Sequence, residues 1–358
     1  MSDLHTLSRR RTEVRRRDGD PAPQRRRRDG SRPNSWRTRA EIAFFVTPAL
    51  VLFAMFVVVP VIQAARYSVY SWNGLGPPTD FVGLDNYRRA LTTPTFTGAF
   101  SGNIADPSLS DFFSGAIMHN LVIVVLSIVI QLPLGLAIAL LLNRKIWGRT
   151  LLRVVIFMPY VLAEVVAGVI WAMLLQPRGP FTAMFEAVGL GDYAQLWLAD
   201  PDIALFTVMG VITWKYLGLA IILFLAGLQG VPEDLYEAAQ LDGANWWQVQ
   251  WRITVPLLGP TIRTWGFLSI IGSLQLFDMV YILTGGGPLD STITMAIYMI
   301  DNGANRSLYG YASAVAVILF VISFTIAVLY QTLVLKRDNA DDTVVRTRKQ
   351  RRAEEAAR

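Results

Sequence analysis

Cysteine is missing from all 358 residues, so disulfides, thiolate metal sites and thiol catalysis are excluded. Histidine is nearly missing. His5 and His119 are the only two, too few for an imidazole-built metal centre or a histidine-based triad. Charged residues make up 17% of the chain, well below the roughly 25% of a soluble domain. Lysine supplies only 4 of the 33 basic residues, an arginine bias that fits a GC-rich genome. The chain also lacks G-x-x-x-x-G-K-[ST], so it has no P-loop for nucleotide phosphates. Its one glycine run, Gly285-Gly286-Gly287-Pro288, follows an apolar stretch, has no lysine and reads as a helix-ending turn.

What is abundant is apolar, 53% of the residues. The charge is crowded at the ends. Residues 1–40 hold 13 Arg against 5 acidic residues and residues 336–358 hold 8 basic against 5 acidic, leaving 12 basic and 17 acidic between them. The formal net charge of +6 therefore belongs to the tails. It is not the basic face of a folded domain that nucleic acid requires, and it suits an anionic inner leaflet. Residues 1–40 are expected to be disordered. Ser8-Arg9-Arg10-Arg11 lies too far ahead of the first apolar run, itself too long for a signal h-region, to read as a cleaved signal. Residues 336–358 read as a second charged tail.

A bilayer core of about 30 Å takes about 20 mostly apolar helical residues. Six stretches qualify: Ile42–Ala65, Ala116–Leu142, Leu151–Leu175, Ile203–Leu228, Thr261–Leu283 and Tyr309–Leu335. Pro48, Pro60, Pro133 and Pro159 fall inside them, which spanning helices tolerate because neighbours satisfy the freed carbonyls. The expectation is an all-α, multi-pass membrane protein with six transmembrane helices. Six is even, so both termini lie on one side, and the arginine-dense tails place that side in the cytoplasm. Arg144, Lys145 and Arg149 in the second-to-third connection agree. The stretches at 66–115, 176–202 and 284–308 then face outward.

The 229–260 connection falls on the cytoplasmic side yet is only weakly basic, so something besides topology has shaped it. Pro232 suits a first helical position, and Glu233 and Asp234 complement the dipole of that helix. Gly243 can end it in the left-handed conformation. Asn245 can cap a second short helix that Pro256 is expected to stop. Leu235, Ala238, Ala239, Trp246, Trp247 and Trp251 give the pair apolar faces in need of a partner.

The stretch 232–257 resembles the EAA loop of bacterial ABC-importer permeases: E-A-A, three residues, G, nine residues, I, one residue, L-P. Glu237, Ala238, Ala239, Gly243, Ile253 and Pro256 stand at the matching places, with Asp242 beside the glycine and Val255 in place of the usual leucine. Phe81-Val82-Gly83-Leu84-Asp85-Asn86-Tyr87, Phe157-Met158-Pro159-Tyr160, and Phe277-Asp278 followed by Leu283-Thr284-Gly285 are similar to segments of carbohydrate-uptake permeases of the maltose/glycerol-3-phosphate type. The resemblance covers about residues 40–335, making 41–335 a six-helix permease domain of the type I importer fold. It implies a transport subunit without cofactor or enzymatic activity of its own. It also implies coupling through Glu237, Ala238, Ala239, Asp242, Gly243, Ile253 and Pro256 to an ATPase. The implied partners are a second permease in a heterodimer, two copies of an ATP-binding subunit and an extracytoplasmic sugar-binding protein.

Ionisable groups at membrane depth cost about 2.5–3.5 kcal/mol on insertion scales and are functional candidates. Glu164 falls midway along the third stretch, Lys215 midway along the fourth and Asp278 in the outer half of the fifth. Glu164 and Lys215 either pair with each other or line a pathway and bind sugar; for Asp278 a structural and a transport role stand equally. Gln275 and Trp214 join the tentative pathway set. Asn120 and Gln131 are weaker candidates, since interhelical hydrogen bonds explain them, and Trp171 resembles Trp214. The competing class is an ion-coupled secondary transporter of a small polar solute, which calls for midplane carboxylate pairs and inverted repeats. Neither is evident, and that class leaves 232–257 unexplained. A membrane enzyme would need a clustered nucleophile, metal site or acid/base pair, and none is seen.

Overall fold

The computed structural model describes residues 35–98, 113–144 and 147–335. Most of the arginine-rich N-terminal stretch, Lys145 and the 336–358 tail lie outside the described residues. By contacts the chain divides into residues 1–59 and 60–358. In the first unit a helix begins at Ser35, ahead of the expected Ile42 and within the stretch expected to be disordered, and runs to Phe53.

Four helices are long and apolar enough to cross a membrane unaided: Thr38–Tyr67, Ala116–Asn143, Pro201–Leu228 and Tyr309–Val334. They correspond to the expected first, second, fourth and sixth spans. Prolines perturb them without ending them. A five-residue π turn ends two residues before Pro60, Pro133 and Pro256 alike, at Ala54–Val58, Ser127–Gln131 and Gln250–Thr254. The wider turn makes room for the proline ring, which would otherwise strike the carbonyl four residues back.

The third and fifth spans depart from expectation. The third is no single helix but two arms, Arg149–Val161 and Glu164–Leu174, bent by 98°. Leu162 and Ala163 between them are extended, with ψ of 141° and 143°. The stretch expected as the fifth, Thr261–Leu283, is broken into a long arm, Gly259–Leu274, and a short arm, Asp278–Leu283, and is not among the helices long and apolar enough to cross a membrane. The second arm of the third span packs on the short arm of the fifth, where Gly168 lets Ile282 approach: a Cβ there would lie 2.8 Å from its side chain.

The fourth span is the hub. Over its most apolar window 56% of residues are buried, against 33% in the second span and 22% in the sixth. One apolar cluster joins its N-terminal half to the second, fifth and sixth spans through Ile123, Val208, Met279 and Val315. Another joins its C-terminal half to the second and fifth through Leu142, Ile221, Phe224 and Leu258. At the bundle end where the first span finishes, strands β1 (Tyr70–Ser71) and β2 (Asp80–Phe81) form a small antiparallel hairpin. At the other end the fourth span leads into the helical hairpin 233–257.

Candidate functional site

The helical hairpin is built from local signals. Pro232 is extended and caps a helix over Glu233–Leu241 instead of opening it. At the far end Gly243 has φ +74°, its N–H donates to the Gln240 carbonyl and that of Ala244 to the Ala239 carbonyl, a Schellman closure. Asn245 and Gln248 then form a reciprocal capping box at Trp246–Val249. The second helix does not stop at Pro256. It passes through the π turn and Val255–Leu257 to meet the long arm at Gly259. Ala239, Val249 and Thr254 face inward, and the Thr254 hydroxyl bonds to that of Tyr236 at 3.3 Å. Glu237, Ala238, Asp242, Gly243 and Pro256 are exposed, and Ile253 is half-buried. Leu241 (89%), Trp247 (64%) and Trp251 (64%) also stand in the open. The Arg144 guanidinium lies 5.6 Å above the Trp246 ring.

Lys215, 1% exposed, closes the bend of the third span. Its ammonium donates to the carbonyls of Pro159 (3.2 Å), Tyr160 (3.4 Å) and Leu162, and its Nζ lies 3.5 Å from Glu164 Oε1. The cation therefore sits at the C-terminal end of one arm and the carboxylate in the first turn of the next, each where the helix dipole favours its sign. The Tyr216 hydroxyl donates to Glu164 Oε1 at 3.0 Å, while Oε2 is buried without a partner. A different group closes the fifth span. Buried Asn120 donates to the carbonyls of Ser273 (2.7 Å) and Leu274 (3.2 Å) and accepts from the Met295 N–H (2.9 Å). Thr294 donates to the Leu276 carbonyl.

Between the second, fourth and fifth spans lies a cavity of about 130 Å³, with Ser127, Gln131, Tyr216, Trp265, Ser269 and Ser273 on its walls. Ser127 bonds to Ser269 at 2.5 Å and to Gln131 at 3.2 Å, and Gln131 reaches Thr213 at 3.4 Å. Hydroxyls and an amide facing an otherwise apolar space can exchange hydrogen bonds with a polar, uncharged solute.

The expected pathway residues are not gathered there. Trp214 packs edge-on against Trp171 at 5.4 Å. Gln275 borders a separate cavity of about 370 Å³ with Phe267, Leu319 and Phe324. Asp278 is exposed in the first turn of the short arm. Glu164 and Lys215 stand behind Tyr216 and touch the cavity only through it. Ser127, Ser269 and Ser273 were missed because short hydroxyl side chains in apolar helices are ordinary, and Tyr216 because an aromatic residue in a span is commonly a packing residue. A signal existed nonetheless: Ser127/Gln131 and Ser269/Ser273 are both i, i+4 pairs, each on one helix face. Among the described residues no cluster of metal-ligating side chains exists.

Residues 131–337 match the family of binding-protein-dependent transport system inner membrane components. A probable ABC transporter permease protein of Pyrococcus horikoshii is 35% identical over 78% of this chain and 94% of its own. The multiple sugar-binding transport system permease protein MsmF of Streptococcus mutans is 33% identical over 80% and 92%, and the trehalose/maltose transport system permease protein MalF of Thermococcus litoralis 30% over 80% and 90%. The fold is shared with a chain of a bacterial ABC transporter that imports the acidic polysaccharide alginate, with a TM-score of 0.69 at 20% identity over 84% of this chain and 97% of that one. The protein is a multi-pass membrane transport subunit and not an enzyme. It belongs to the inner membrane components of binding-protein-dependent ABC importers, which work with an ATPase and a substrate-binding protein.

Proposed function

We propose that the cargo is a sugar or oligosaccharide, that this chain forms half of the pathway beside a second, different permease, and that two copies of an ATP-binding subunit drive it. The sugar transport for which MsmF and MalF are named supports this cargo. One continuity carries the mechanism: the second helix of hairpin 233–257 runs into the long arm of the fifth span, and that arm supplies Trp265, Ser269 and Ser273 to the cavity. A partner that grips Trp247, Trp251 and the exposed Glu237-Ala238 edge holds a lever whose far end is the cavity wall. Loaded binding protein docks on the opposite face, ATP closes the nucleotide-binding pair, the hairpin moves with it, and the cavity switches its opening. That is a two-state equilibrium biased by ligands. In this reading both termini and the hairpin are cytoplasmic, and 66–98 faces outward.

Reconstitution of the complete importer in proteoliposomes tests the reading: radiolabelled sugar accumulates only with ATP and binding protein. Gly243 has open space around it but φ +74°, so Gly243→Val strains the turn and Gly243→Asn does not. Uptake is expected to fall at least tenfold in the valine variant, with normal insertion, and to persist in the asparagine variant. Equal uptake by both would remove the hairpin from the coupling path. Single cysteines in this cysteine-free chain test orientation: an impermeant thiol reagent added outside should label position 95 and not position 30.

A further inference from the structure

Behind the β1–β2 hairpin lies a cavity of about 290 Å³, apart from the one between the spans, walled by Trp72, Asn73, Asp80, Asn86, Arg89 and Tyr311. The side formed by Asn86 and Tyr311 is fixed, while Asn73, Asp80 and Arg89 are exposed at its mouth. Asn86 donates both amide protons, to the carbonyls of Ser68 (2.8 Å) and Tyr70 (3.0 Å), and the Gly310 N–H donates to the Trp72 carbonyl (2.9 Å). Arg89 rests with its guanidinium carbon 4.6 Å from the centre of the Tyr311 ring. That ring is 3% exposed and its hydroxyl is bonded to Tyr298 at 2.8 Å. Asn73 is oriented by accepting the Leu75 N–H at 3.1 Å, which leaves its amide protons to donate.

The charges decide what fits. Asp80 and Arg89 line one small cavity, yet among the described residues neither forms an ion pair. An anionic ligand would satisfy Arg89 and be repelled by Asp80, and an ammonium would do the reverse. Two kinds of ligand satisfy both: a zwitterion, and a neutral ligand with adjacent hydroxyls, each of which donates to a carboxylate and accepts from a guanidinium or amide; the sugar cargo proposed above selects the second. The volume lies near the lower end of small-molecule sites, about 300 Å³, and so suits a single ring. We propose that this cavity is a second carbohydrate subsite, holding one neutral sugar ring whose neighbouring hydroxyls bridge Asp80 and Arg89. It rests on the reading above for the class of cargo and for the hairpin face being the one sugar reaches first. There the subsite would hold a ring of the arriving cargo outside the membrane.

Saturation-transfer NMR tests it on the assembled permease–ATPase complex in nanodiscs without its binding protein, with Ser269→Phe filling the cavity between the spans and the methyl α-glycosides of glucose, galactose, mannose and N-acetylglucosamine as ligands. At least one glycoside should receive magnetisation from that complex. That signal should fall at least tenfold when Asp80→Ala or Arg89→Met is added to it. Asp80 lies on an exposed strand, so its variant reads out even if Arg89→Met disturbs Tyr311. No transfer to any glycoside, or transfer indifferent to Asp80→Ala, overturns the subsite. So does weaker capture of the binding protein with the glycoside signal intact, which would make the cavity a protein-docking socket. Sugar uptake by the wild-type importer is measured separately. A failed subsite with intact sugar uptake leaves the proposed function standing, and absent uptake refutes that function whatever the NMR shows.

Discussion

At the bend of the third span the released carbonyls of Pro159, Tyr160 and Leu162 are collected by the Lys215 ammonium, and the ammonium is balanced by Glu164. At the break of the fifth span the carbonyls of Ser273 and Leu274 are collected by the neutral amide of Asn120. Both devices answer one requirement: a backbone group without a partner in a membrane interior costs several kcal/mol. They differ in what else they demand. An amide carries its own acceptor, which Asn120 spends on the Met295 N–H, so its site closes on itself. A buried ammonium needs a counter-charge, and among the described residues Glu164 offers it, itself tied to the cavity wall through the Tyr216 hydroxyl. The neutral closure thus meets the cavity wall through the Ser273 backbone, whereas the ionic closure reaches it through a side-chain hydrogen bond.

The largest effect is expected at Lys215. Lys215→Met strips three carbonyls of their donor and leaves Glu164 without its cation. Removing one partner of a buried pair costs about 3–5 kcal/mol, so little folded protein should be recovered after detergent extraction. Glu164→Gln should cost less, because the ammonium keeps its carbonyls. The double variant sharpens the comparison. If capping dominates, it should recover only part of the loss, since the carbonyls stay bare. Full recovery in a thermal-melt or size-exclusion assay would show the charge pair, and not the cap, to be the main element.

Four of the six expected spans were legible as single helices because long apolar runs have few alternative fates, and Gly243 and Asn245 announced their turn by residue type alone. The breaks were not. Leu162 and Ala163 are unremarkable in a spanning helix, and the bend exists because Lys215, 53 residues along the chain from Leu162, can hold its carbonyls. Pro256 misled for the converse reason: a proline stops a helix unless the preceding turn widens, and Gln250–Thr254 widens. For the site, the sequence pointed to charges and tryptophans, the costly and conspicuous residues. The cavity took serines and a tyrosine, whose roles depend on helix rotation, which a single sequence does not encode.

The second effect tests the neutral closure. Asn120→Leu keeps the volume close and removes three hydrogen bonds, leaving two carbonyls and the Met295 N–H bare. Each unsatisfied buried group costs about 1–3 kcal/mol. The loss in the melt should be clear but smaller than for Lys215→Met, with no compensating substitution elsewhere. Asn120→Asp separates the two halves of the device: a carboxylate still accepts from Met295 but cannot donate to Ser273 and Leu274. If the aspartate variant is as stable as wild type, the carbonyls at the fifth-span break need no donor, and the likeness between the two closures fails.

The smallest effect concerns the side-chain link between the ionic closure and the cavity wall. Tyr216→Phe deletes the hydroxyl that donates to Glu164 while preserving the ring on the cavity wall. Glu164 is 30% exposed and keeps Lys215, so water can replace much of what is lost and the stability change should stay within about 1 kcal/mol. Transport should respond more than stability. With its proton committed to Glu164, the Tyr216 oxygen can only accept from a solute, and the phenylalanine variant offers neither donor nor acceptor. Uptake per folded importer should therefore fall severalfold, with the melt almost unmoved and ATPase activity still stimulated by loaded binding protein. If uptake is unchanged, the ionic closure is purely structural and its side-chain connection to the cavity carries no function. If uptake and the melt fall together, Tyr216 serves the bend and not the solute.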